Sequence, residues 1–151
     1  MQVTRRQALG ISAGGMAFLA LGPGMKVALA DAAATEKSLM EFTGGKTPTA
    51  GKVTLKAPEI AENGNTVPIT VSVDSEMTAQ SYVQSVTLLA EGNPNPAVAT
   101  FHFSPMSGEA SATTRMRLAK TQNVIAIAKM SDGSVFMDKK QVKVTIGGCG
   151  G

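Results

Sequence analysis

The chain closes on VKVTIGGCGG, residues 142–151, and this stretch holds its single cysteine, Cys149. Free cysteine is among the residue types most often found inside a protein. Here it is the third residue from the end, with Gly147 and Gly148 before it and Gly150 and Gly151 after it. The thiolate is the nucleophilic form of such a side chain, and a lone cysteine in an oxidising compartment points to intermolecular pairing or a free reactive thiol. Glycine flanks supply a thin tether with unrestricted φ and no side chains, able to enter a channel that bulkier residues would block. Cys149 reaches about 10 Å beyond Ile146 at roughly 3.3–3.6 Å per residue. No basic residue adjoins it, so its thiol belongs near the free value of ~8.5 and would be activated by whatever it visits. Two plainer readings are a frayed terminus and a disulfide-linked homodimer through Cys149.

Other chemistry is thinly represented. His102 is the only histidine and sits between two phenylalanines in an alternating stretch, which turns it outward. With Met106, and with the distant Met77, Met116 and Met130, it could make a thioether site for Cu(I). A periplasmic copper-binding module is therefore the alternative function. No Met-x-Met or His-x-Met cluster supports it, and core filling accounts for most methionines. Arg115 and Arg117 share a strand face suited to an oxyanion, a partner carboxylate or simply solvent. Asp74, Glu76 and Glu109 have no spacing that makes an acid–base pair. From residue 31 onward no nucleophile-elbow, phosphate-loop or zinc spacing is present. The residues thus point to no catalytic group, no metal and no cofactor.

Elements that would position the tail are legible upstream. Arg5 and Arg6, an apolar run from Ala8 to Leu21, and Ala28 and Ala30 in an A-x-A arrangement make residues 1–30 an export signal. TRRQALG resembles a twin-arginine leader, with Ala8 and Gly10 off the usual pattern; that route carries folded proteins into the periplasm. Removing this segment takes Arg5, Arg6 and Lys26 and no acid, leaving 11 basic residues against 11 acidic ones. The net charge of +3 therefore belongs to the leader and offers nothing to nucleic acid. The apolar run is too short and glycine-rich to span a bilayer, so no membrane contact is expected after processing.

From residue 31 to 146 the pattern is that of one domain. TEKSLMEF (35–42) makes a short helix ended by Gly44 and Gly45. Thereafter the period is two. Val53 and Leu55 alternate in KVTLK, then Asn63-Gly64 marks a tight turn. Val67, Ile69, Val71 and Val73 share a face, and Pro68 argues for a strand start or an edge. VQSVTLLAE is a less regular strand, and AVATFHFS points Ala97, Ala99, Phe101 and Phe103 inward. Met116 and Leu118 alternate with Arg115 and Arg117. NVIAIAKM is apolar on both faces, so Ile125 and Ile127 either meet a partner or are covered within the fold. SVFMD and QVKVTI follow, the latter with Val142, Val144 and Ile146 inward. Seven or eight short strands at this spacing predict an all-β, immunoglobulin-like antiparallel β-sandwich with a short N-terminal helix and a flexible glycine-rich C-terminal arm, residues 147–151.

The tail GGCGG, together with TGGKTP, PEIAENGNTVPITVSVDS, VATFHFSP and MSDGS, resembles the SoxY family, sulfur carriers of the bacterial thiosulfate-oxidising Sox system. The resemblance covers residues 35–151. It implies a heterodimer with SoxZ and covalent attachment of sulfur to Cys149. It also implies transient visits to the haem enzyme SoxAX, the manganese hydrolase SoxB and, where present, a molybdenum–haem sulfur dehydrogenase. The carrier would hold no cofactor of its own and would leave the cytoplasm folded, together with its partner.

Overall fold

The computed structural model describes residues 23–147; the expected leader motif (Arg5, Arg6, and Ala8 to Leu21) and Gly148, Cys149, Gly150 and Gly151 lie outside the described residues. The first element is helix α1, Pro23–Thr43. It is longer than the eight residues expected, because the alanine-rich segment ahead of Thr35 carries high helix propensity and Pro23 fits a first helical turn. Gly44 and Gly45 end it at φ 67° and 85°, with the Gly45 N–H bonded back to the Met40 carbonyl at 3.1 Å.

Nine strands follow: β1 (Thr49–Ala50), β2 (Val53–Lys56), β3 (Ile60–Ala61), β4 (Val67–Val73), β5 (Val83–Ala90), β6 (Ala97–His102), β7 (Ala110–Met116), β8 (Gln122–Met130) and β9 (Val135–Val144). One sheet has the order β1-β9-β8-β5-β6, with β3 also paired to β9; the other is β2-β4-β7. The two long sheet contacts of β5 and the β8–β9 and β4–β7 ladders are antiparallel, while the short β1 and β3 run parallel to β9. SVFMD and QVKVTI prove to be a single strand, β9, since the residues between them continue the ladder to β8 as far as Gln122–Val142.

The sheets pack face to face on Leu55, Val67, Ile69, Val71, Val86, Leu88, Val124 and Val142, all at most 1% exposed. Met77, Met116 and Met130 fill the same core. A second link between the sheets is polar: the Asp138 carboxylate accepts from the Leu55 N–H at 2.9 Å.

The outer face of the larger sheet has its own cover. Leu39 and Phe42 of α1 pack with Leu89, Ile125, Ile127 and Val135, so Ile125 and Ile127 are covered by the chain itself. That explains why β5 and β8 are apolar on both faces: each is the middle of a helix–sheet–sheet stack. Pro68 lies near the start of β4, which is the central strand of its sheet; β2 pairs only from Thr70 onward, so Pro68 has only β7 as a ladder neighbour. Strand β6 is an edge, and there the expected inward row is only partly met: Phe101 and Phe103 are half-buried and Ala97 is exposed.

Candidate functional site

The tail leaves the sandwich from the end of β9, and that end is gripped from both sides. On one flank β3 pairs in register, Ile60 with Lys143 and Ala61 with Val144. Backbone bonds extend this ladder at both ends, Lys143 N–H to the Glu59 carbonyl (2.9 Å) and Thr145 N–H to the Ala61 carbonyl (3.1 Å). The Thr145 hydroxyl adds a bond to the Glu62 carbonyl at 3.0 Å. On the other flank the Thr121 hydroxyl substitutes for a strand residue. It accepts from the Val144 N–H at 2.9 Å and donates to the Val144 carbonyl at 3.3 Å.

Ile146 was expected to point inward, and it does not: its side chain is 69% exposed. Strand β9 stops at Val144, so alternation no longer governs Ile146. Its carbonyl instead accepts from the Gly64 N–H at 2.8 Å, and the Gly64 carbonyl accepts from the Leu118 N–H at 2.7 Å. The Asn63-Gly64 turn, closed by an Asn65 N–H to Asn63 Oδ1 bond of 2.9 Å, thereby ties the tail's root to the β7–β8 connection.

That connection rests on two buried amides. Asn93 and Gln122 are each 6% exposed. Asn93 Nδ2 donates to the Arg117 carbonyl at 2.7 Å, and its Oδ1 accepts from the Ala119 N–H at 3.0 Å and from Gln122 Nε2 at 2.9 Å. Gln122 also donates to the Lys120 carbonyl (3.1 Å) and accepts from the Gly92 N–H (2.7 Å). Each side chain makes three hydrogen bonds and leaves neither its nitrogen nor its oxygen without a partner, as buried amides must to avoid a desolvation penalty. Beyond them lies a polar cleft of about 340 Å³, lined by Asp31, Glu91, Lys120 and Gln122 among others; the Lys120 ammonium meets Asp31 there at 2.8 Å.

Among the tail's glycines only Gly147 is described, and it passes directly over the Ala119 carbonyl. The sequence pattern did not reveal Asn93, Gln122, Ala119 or Thr121 as parts of this end. GNPNP reads as a strand break, and nothing in its composition says that one asparagine turns inward.

The remaining sequence candidates do not converge. His102 is exposed on the edge strand and Met106 is 96% exposed, whereas Met77, Met116 and Met130 are 3–5% exposed in the core. Among the described residues no cluster of three or more His, Cys, Asp or Glu could hold a metal. Arg115 and Arg117 are exposed beside a polar strand face where the Thr70 and Thr113 hydroxyls share a 2.9 Å bond. Asp74 and Glu76 lie near Lys52 around a shallow hollow, and Glu109 is exposed on the β6–β7 connection. No described helix is long and apolar enough to cross a membrane.

Compared with known proteins, residues 39–149 match the family model described as sulfur oxidation protein SoxY, a match that ends on Cys149 itself. Among solved structures, the chain is similar to the sulfur carrier protein SoxY from Chlorobium limicola f thiosulfatophilum. The two are 30% identical over 76% of this chain and 99% of that one, with a TM-score of 0.62. It is also similar to superoxide reductase (neelaredoxin) from Ignicoccus hospitalis, at 24% identity, 62% of this chain, 80% of that one and a TM-score of 0.55. A third likeness is to superoxide reductase from Nanoarchaeum equitans, at 16% identity, 63% of this chain, 99% of that one and a TM-score of 0.53. The two superoxide reductase likenesses concern the fold alone. No curated protein matches in sequence.

Proposed function

The chain belongs to the SoxY family of sulfur oxidation proteins, and from that membership we propose that it is a sulfur carrier whose attachment atom is Sγ of Cys149. The observation that carries this reading is the extent of the family match, which runs from the end of α1 through the whole sandwich to Cys149. The fold supports it in one respect: the hydrogen-bonded end of β9 leads directly into the tail segment.

In this reading the chemistry belongs to enzymes that act on the tail. Oxidative loading joins the cysteine thiolate to the sulfane sulfur of thiosulfate. A sulfur–sulfur bond forms, two electrons leave to the haems of SoxAX, and Cys149 carries –S–SO₃⁻. Hydrolysis by the manganese enzyme SoxB then breaks the bond to the sulfonate sulfur. Water supplies the oxygen of the released sulfate, two protons are freed, and a persulfide stays on Cys149. A molybdenum–haem sulfur dehydrogenase, where one exists, would oxidise the remaining sulfane sulfur to a sulfonate, with three oxygens from water and six electrons leaving through its haem, and a second hydrolysis would release sulfate and restore the thiol. The carrier contributes a nucleophilic atom, a side-chain-free tether and a fixed base, and needs no cofactor.

The partner would be SoxZ, forming a heterodimer, and the site of action the periplasm. A twin-arginine leader on a cofactor-free protein is accounted for if the folded pair is exported together. Deleting residues 1–30 should then strand both subunits in the cytoplasm; export of the partner alone would contradict co-export. The carrier assignment is tested by Cys149→Ser, which should abolish thiosulfate-dependent turnover of the reconstituted system while circular dichroism stays unchanged. Turnover that survives this substitution would refute it.

A further inference from the structure

Gly147 occupies a position that no other residue fits. A Cβ built on it would run into the Ala119 carbonyl oxygen and lie 3.2 Å from that carbonyl's carbon. Both obstacles are backbone atoms, which cannot swing aside as a side-chain end could. Its own backbone is not in the left-handed region, unlike Gly44 and Gly45, which have positive φ and open space around them. Contact, and not conformational freedom, requires glycine here.

The wall it leans on is held in place. The Ala119 N–H is bonded to Asn93, and Asn93 is locked by Gln122 and the Arg117 carbonyl. On the near side, the Ile146 carbonyl is bonded to the Gly64 N–H. The peptide between Ile146 and Gly147 is therefore clamped between two turns from different parts of the chain.

We propose that Gly147 is a positioning residue: it seats the end of β9 against Ala119, so that the chain leading on to Cys149 starts from a fixed point. The inference rests on the carrier reading above. Cys149 lies two positions beyond this seat, so its Cα can be at most about 7 Å from it at roughly 3.3–3.6 Å per residue. A chain released back to Thr145 would put it four positions beyond, doubling the reach to about 14 Å. The volume the thiol explores would grow about eightfold, and its effective concentration at a docked enzyme's active site would fall correspondingly.

The test compares Gly147→Ala with Gly148→Ala in the full carrier, paired with its partner subunit. Three quantities are read: amide exchange at Gly64, alkylation of Cys149 by iodoacetamide, and the kcat and KM for thiosulfate loading by the haem enzyme. Gly147→Ala should speed Gly64 exchange at least tenfold and lower loading kcat several-fold, with KM for the carrier and the alkylation rate within twofold of wild type. Gly148→Ala should leave Gly64 exchange unchanged. The proposal is overturned if Gly147→Ala leaves Gly64 protected. It is equally overturned if exchange rises but loading kcat does not, which would make the contact merely structural. Exchange and alkylation need no sulfur substrate, so a wild-type protein that takes up no sulfur refutes the carrier reading separately.

Discussion

Gln122 Nε2 donates to Asn93 Oδ1 at 2.9 Å, and these two buried amides are each other's partner at the end of the sandwich from which the tail departs. Three turns that are far apart in sequence meet through them and through Gly64. The end of β9 that leads to the tail is thereby held by turns from three different parts of the chain.

Asn93→Ala should remove the bonds to Arg117, Ala119 and Gln122 and leave their buried partners unsatisfied. A cost of about 2 kcal/mol is expected, read as a fall of roughly 10 °C in the melting temperature. Faster amide exchange at Ala119 should accompany it, because that N–H has Asn93 Oδ1 as its acceptor. A melting temperature within 2 °C of wild type, on the order of the smallest shift a lost buried bond would give, would show that the network bears no load.

Helix α1 is a lid on the outer sheet face. Phe42→Ala and Leu39→Ala should each destabilise by about 1–2 kcal/mol, below the full-burial range because both side chains are only half-buried. Both should raise binding of a hydrophobic dye as Ile125 and Ile127 become accessible. Equal dye binding in wild type and variants would mean that something other than α1 covers that face.

Asp132 provides a pH probe of the β8–β9 turn. Its carboxylate accepts from the Ser134 hydroxyl at 2.5 Å and from the Ser134 N–H at 2.8 Å. These bonds, the hydroxyl's first, hold its pKa below the ordinary carboxylate value. Because the folded value is depressed, the turn's contribution is present above the ordinary carboxylate range and is lost as pH falls through the folded value. An NMR titration should place Asp132 below the usual range in wild type and closer to it in Ser134→Ala. Identical titration curves would remove the hydroxyl as the cause.

Copper offers a test of the alternative function. Met77, Met116 and Met130 are core residues, and His102 and Met106 are exposed elsewhere. Titration of Cys149→Ser with Cu(I) should therefore show no stoichiometric site, and one equivalent bound tightly would restore the copper-module reading.

Much of this was legible in the sequence. Alternation at Val67, Ile69, Val71 and Val73 gave β4, and the double-faced apolarity of Ile125 and Ile127 correctly signalled a strand covered on both sides. The nature of the cover was not legible, since only Leu39, Met40 and Phe42 hinted at an amphipathic helix, and the structure leaves Met40 53% exposed. Alternation failed at Ile146, where the strand ends and a single hydrogen bond from the Gly64 N–H takes over from the pleat. The root of the tail escaped a sequence reading for a related reason. Asn93 meets Ala119 and Gln122 only because the β5–β6 and β7–β8 connections cross, and local pattern does not encode such contacts. Cys149 was conspicuous by its type and position, but the base that holds its tether is a tertiary product.

The most direct test of the central claim is the mass of the terminal tryptic peptide, Val144 to Gly151. It would be measured after the carrier complex has turned over thiosulfate with its partner enzymes. The account predicts mass increments for –S–SO₃⁻ and for a persulfide sulfur on Cys149, both removed by reduction with a thiol. A peptide that stays unmodified throughout demonstrated turnover would contradict it.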